Sequence, residues 1–166
     1  MNYIDYAYFI DLYGDVISTQ EFNFASWEAF RKLEYHTTGV DGIKKLKVAF
    51  PTDEDDAEAV KRCAARMVYI AAQISAVEKS ASKGRGYAET ANGLQGKVVS
   101  SVSAGNESIS FSTTSNTATL IDKALSDKVV QEQLYRDTVT EYLSGVKDAN
   151  GVNLLYMGVY PFSLKR

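Results

Sequence analysis

The chain has 166 residues, a formal net charge of −3 and a pI of about 5.2, with 45% hydrophobic and 23% charged residues. That length and balance fit one globular domain, burying roughly 70% of the surface its unfolded chain exposes, and exclude a wholly disordered chain. The acidic balance argues against a free-standing nucleic-acid binder, which carries a basic footprint to neutralise phosphates, but suits the wall of a DNA passage, where repulsion prevents sticking.

Tyr3, Tyr6, Ile10 and Tyr13 recur at helical spacing, and Gly14 ends that segment. Ser18 stands three residues before Glu21, a capping-box pattern, and Phe22, Ala25, Ala29, Phe30 and Leu33 then share one helical face. The predicted helix runs to about His36 and is closed by Thr37, Thr38 and Gly39. Trp27 lies off the Phe22/Phe30 line and is expected at a rim or interface. A short amphipathic piece follows at Ile43 to Phe50.

The clearest element starts at Pro51-Thr52-Asp53. Thr52 is the expected cap, and Asp53 to Asp56 load the first turn with negative charge that complements the helix dipole. Val60, Cys63, Ala64, Met67, Ile70, Ala71, Ile74 and Val77 form one apolar stripe, predicting a long helix from about Asp53 to Lys79. Lys79 to Gly96 reads as a loop. The next stretch, Lys97–Ser103 and Glu107–Thr113, alternates hydroxyl and apolar residues around Ala104-Gly105-Asn106-Glu107, predicting a β-hairpin. Its expected apolar face is Val98, Val102, Ile109 and Phe111. A two-stranded hairpin alone is marginal in water, so it needs cover from its own helices or from another chain.

Leu120, Ala124, Val129, Val130, Leu134, Val139, Tyr142 and Leu143 suggest one or two further helices, with a cap at Ser126-Asp127 and a stop at Gly145. The final segment, about residues 151–162, is too apolar to remain an exposed tail and too short to form a layer. Leu154, Leu155, Tyr156 and Met157 are its expected docking residues, either on a neighbouring chain or on the chain's own long helix. The fold class is thus mainly α: a small helical bundle with one long central helix and an inserted β-hairpin, in a single domain.

Catalytic chemistry is not legible. Cys63 and His36 are the sole cysteine and histidine, so neither a disulfide framework nor a Cys/His metal cluster is expected. Ser80-Ala81-Ser82-Lys83 matches an S-x-x-K fragment without its companion motifs. Consecutive carboxylates at Asp53 to Asp56 point in different directions around a helix and chelate poorly. No enzyme activity, metal or cofactor is expected. The first residues lack the basic, then apolar, pattern of a secretory signal, and no apolar run reaches the roughly 18 residues that span a membrane. The eleven tyrosines suit protein interfaces.

The serial order of "VVSSVSAGNESISFS" (Val98–Ser112), "EYLSGV" (Glu141–Val146) and "GVNLLYMGV" (Gly151–Val159) resembles the C-terminal half of the head–tail connector (adaptor) proteins of long-tailed bacteriophages. That family often has a serine-rich ribbon, a helix ending in Tyr-Leu and a final Gly-Leu-Leu-Tyr-Arg-Gly-Val. "DLYG" (Asp11–Gly14), Phe22 and "LEYHTTG" (Leu33–Gly39) resemble its first helices more loosely. The chain departs at Asn153, where Gly is usual, and at Met157, where Arg is usual.

The resemblance implies a virion protein made in the bacterial host cytoplasm, in a phage or a phage-derived particle. Its partners would be a homo-oligomeric ring of about a dozen copies, the portal protein above, a tail-side stopper or terminator protein below, and double-stranded DNA passing through. Val98, Val102, Ile109, Phe111 and Leu154 to Met157 would then meet a neighbouring subunit or the portal, and Lys83, Arg85 and Lys97 the DNA channel. The alternative from a different class is a helical regulatory module that binds nucleic acid through those three cations. A third reading, an enzyme of unrecognised class, has no motif behind it.

Overall fold

The computed structural model describes residues 2–82, 87–90, 93–103, 108–113 and 127–162. These residues are mainly helical. Helices α1 (Tyr6–Tyr13), α2 (Thr19–His36), α3 (Lys45–Val48) and α4 (Glu54–Ser82) come first, followed by strands β1 (Tyr87–Thr90), β2 (Gly93–Ser103) and β3 (Ser108–Thr113), then helix α5 (Lys128–Leu143). The length fits one domain, but the chain divides into two compact units, Met1–Ala72 with Tyr135–Arg166, and Gln73–Leu134. Both boundaries fall inside helices, α4 and α5, so no Pro/Gly-rich linker marks them in the sequence.

Local chemistry explains the helix starts. Asp5 caps α1 by accepting the Tyr8 amide at 2.8 Å. Ser18 and Glu21 form the reciprocal capping box at the head of α2. Asp53, rather than the expected Thr52, caps α4: its carboxylate accepts the amides of Asp55 and Asp56, both at 3.1 Å. From one position later, its carboxylate reaches two orphan amides of the first turn. Asp127 caps α5 by accepting the Val129 amide at 2.7 Å. After α5, Gly145 takes a positive φ of 85°, a conformation glycine adopts without penalty.

In the first unit, Phe22, Ala25, Ala29, Phe30 and Leu33 of α2 are buried, as are Tyr135, Val139 and Leu143 of α5. Val60, Cys63, Ala64, Ala65, Met67, Val68 and Ile70 of α4 are all at 0% exposure, so this helix is enclosed on more than one side over that stretch. Its small residues allow the close approach that such enclosure needs. Many tyrosines are spent internally rather than at a surface. Tyr13 stacks on Tyr69 at 5.0 Å, Tyr3 packs edge-on to Phe30 at 5.3 Å, and Tyr6 lies 5.5 Å from Phe22.

In the second unit the strand order is β1-β2-β3, antiparallel throughout. The stretch expected as a loop from Lys79 instead continues α4 to Ser82 and, after residues 83–86, enters β1 and the first part of β2. Tyr87–Thr90 pairs with Gly93–Gly96. The glycines there interrupt any side-chain alternation, so the pairing left no period-two signal. Between β2 and β3 an irregularity falls between Val99 and Ser101, which changes which residues share the expected apolar face. Val99 pairs with Phe111 and Val102 with Ile109, whereas Val98 pairs with Ser112. One extra residue shifts strand parity, so Val99, rather than Val98, stands opposite Phe111 of the expected apolar face. The turn at 104–107 and the residues between 114 and 126 lie outside the described residues.

Candidate interaction surface

The C-terminal segment after α5 lies on its own unit, against the loop between α2 and α3. Gly39 makes the close approach possible: a Cβ there would strike the Gly158 carbonyl oxygen. The Val40 amide donates to the Met157 carbonyl at 2.9 Å, and the Tyr160 amide donates to Asp41 Oδ2 at 2.6 Å. Lys45 is fully buried, and its Nζ donates to the carbonyls of Leu154, at 2.8 Å, and Tyr156. Burial pulls the Lys45 ammonium below its ordinary pKa, against the opposing pull of Asp148 and Asp41.

Asp148 organises the turn that launches the segment. Its Oδ1 accepts the amides of Asn150 and Val152, both at 2.9 Å, and its Oδ2 accepts the Tyr160 hydroxyl at 2.6 Å. Burial, then the bond to Asp148, pushes the Tyr160 hydroxyl above its ordinary range. Leu154 sits at 0% exposure and Tyr160 at 1%, so both are core residues of this unit. The sequence left Leu154 two docking places, a neighbouring chain or its own chain, and here it is buried within its own unit. Its burial here follows from the turn at Asp148 to Gly151, which folds the segment back so that the Leu154 amide reaches the Val146 carbonyl at 3.0 Å.

The same docking leaves an apolar outer surface. Leu155 is half-buried, while Tyr156 and Met157 are 47% and 45% exposed. Leu155 and Met157 line a shallow depression of about 510 Å³ with Tyr35, Val40, Val139 and Arg136. Tyr35 and Val40 are 72% and 79% exposed. The outer face of α2 extends this character, since Phe24 and Trp27 are each 65% exposed and Arg31 stacks over the Trp27 ring at 4.9 Å. Trp27 stands where its offset from the Phe22/Phe30 line put it. Phe24, Trp27 and Tyr35 fall on one helical stripe opposite the core-facing one, a pattern that the sequence carries at spacings of three and eight residues.

A polar cluster borders a second cleft that Trp27 and Arg31 also line. Glu34, 6% exposed, takes Lys44 at 2.9 Å and Lys47 at 3.1 Å, and accepts the Tyr3 hydroxyl at 3.2 Å. Burial alone would raise the Glu34 pKa; the two lysines outweigh it and hold the carboxyl below its ordinary range. Because the folded value lies below the unfolded one, this stability is present above the ordinary glutamate pKa of about 4.3 and is lost as pH falls through the folded value. Glu34→Gln should therefore flatten the acid limb of the melting-temperature profile. An acid limb as steep as that of the native chain would contradict the assignment.

Of the remaining expected site residues, Lys97 pairs with Thr113 at the base of the β2–β3 ladder. Lys83 and Arg85 lie outside the described residues. Among the described residues no group of three or more His, Cys, Asp or Glu is placed to hold a metal ion, and no helix is long and apolar enough to cross a membrane. Cys63 is buried, which pushes its thiol up to about 12. Compared with known protein families, curated proteins and solved structures, the chain matches none.

Proposed function

We propose that this chain is a structural subunit of a phage head–tail connector. Copies form a ring beneath the portal, extend the DNA channel and present a face to a tail-side stopper protein, in the virion of a phage or a phage-derived particle. In this reading the subunit is a helical bundle around α4, and the β2–β3 hairpin is an inserted assembly device. The role is scaffolding, not catalysis.

The observation that carries the reading is the exposed apolar surface of Tyr35, Val40 and Met157. Exposed apolar surface of this kind marks protein contact sites. The resemblance in the order of the serine-rich ribbon, the Tyr-Leu helix end and the final segment supplies the class. The acidic balance suits a subunit that lets DNA pass without holding it.

Met157→Asp and Val40→Asp place a charge at exposed positions. They should leave the melting temperature nearly unchanged and reduce incorporation into particles at least tenfold. Full incorporation of both variants would overturn the reading. Tight, salt-dependent binding of the purified chain to free DNA would also overturn it and favour the regulatory module.

A further inference from the structure

Among the described residues, the β2–β3 ribbon has two edges with no strand beside them, of similar length and opposite direction. On β2, Lys97–Ser103 pairs with β3 on one side, while β1 covers only Gly93–Gly96 on the other. The outer side of β3, Ser108–Thr113, has no strand beside it among the described residues. One open edge therefore spans seven residues and the other six. Both are rows of backbone donors and acceptors that require partners.

Natural edge strands usually carry proline, charge or great shortness to block pairing. Here β3 reads Ser-Ile-Ser-Phe-Ser-Thr, with no proline and no charge, and the free part of β2 carries only Lys97. A two-stranded ribbon of this length is marginal in water.

We infer that the ribbon pairs edge to edge with the ribbon of a second copy of this chain, the outer edge of β3 in one copy against the free edge of β2 in the next. The polarity fits. β2 and β3 are antiparallel. Copies related by rotation about an axis along the strands bring a descending β3 beside an ascending β2, so every new pair is also antiparallel. Such a contact is head-to-tail, and where the rotation between copies closes it forms a ring in which both of these edges are paired. The irregularity at Val99/Ser101 is the kind of device that curves a sheet toward closure. The closed ring rests on the connector reading; the edge pairing itself does not.

Cysteine cross-linking between separately prepared variants tests this in the full chain. Ser101→Cys is made in one batch, and single cysteines at each of the six β3 positions in others. Each chain carries one new thiol, so no bridge can form within a copy. The native Cys63 is buried and does not compete. Mixed at sub-millimolar concentration and oxidised, Ser101→Cys should give a disulfide-linked dimer with one β3 position, or with that position and its second neighbours, and not with the rest. No mixed dimer at any position, or equal yield at all six, would overturn the inference. If the chain joins the portal yet no mixed dimer forms, the edge pairing fails and the connector reading stands. If the selective dimer forms in a chain that ignores the portal, the reverse holds.

Discussion

Leu154→Ala is expected to destabilise the first unit by about 2–5 kcal/mol, the range for removing a buried leucine side chain. Leu154 is fully enclosed, and its own backbone carbonyl takes a hydrogen bond from the buried Lys45. Loosening the segment thus also threatens the partner of a buried ammonium, which places the effect toward the upper end of the range. Denaturant unfolding of the purified chain measures it. Leu155→Ala, at a half-buried neighbour, is the control and should cost less. Equal, small effects at both positions would mean that the segment is not part of the core.

Asp148→Ala is the second large effect, about 2–4 kcal/mol, because the buried Tyr160 hydroxyl left without its partner costs about 1–3 kcal/mol and the two part-buried amides add less. The substitution leaves the Asn150 and Val152 amides and the Tyr160 hydroxyl without their carboxylate acceptor. Asp148→Asn keeps one acceptor oxygen and should recover part of the loss. Tyr160→Phe removes one of those donors together with the hydroxyl that accepts from Asn150 Nδ2. If Asp148→Ala and Asp148→Asn unfold alike, the turn amides are satisfied elsewhere and the account of this turn is wrong.

These two residues mark the limit of what the sequence makes legible. Helix starts depend on neighbours three or four positions away, and so the Ser18/Glu21 box and the acidic head of α4 could be read directly. The misplaced cap, Thr52 for Asp53, differs by one position among residues that all cap well. Lys45 is another matter. In the run Lys44-Lys45-Leu46-Lys47 nothing distinguishes it from its solvated neighbours, and its burial depends on a carbonyl 109 residues later. Leu154 presented itself as apolar, but whether it covers its own chain or another is decided by the turn at Asp148. The strand register shows the same boundary. Alternation identified the residue types, yet the irregularity beside Ser100 put Val99, rather than Val98, opposite Phe111. The exposed surface was partly readable: Trp27 stood out by its offset, while Tyr35 and Val40 become contiguous with Met157 only once the final segment is docked.

The proposed role is that of a ring-forming connector subunit. Native mass measurement with electron micrographs, of the purified chain alone and mixed with a phage portal protein from the same source, is the decisive experiment. The account predicts closed rings of a single size seated on the portal, with the portal–ring complex resolved as one species. A chain that stays monomeric at every concentration and leaves the portal's mass unchanged would contradict it.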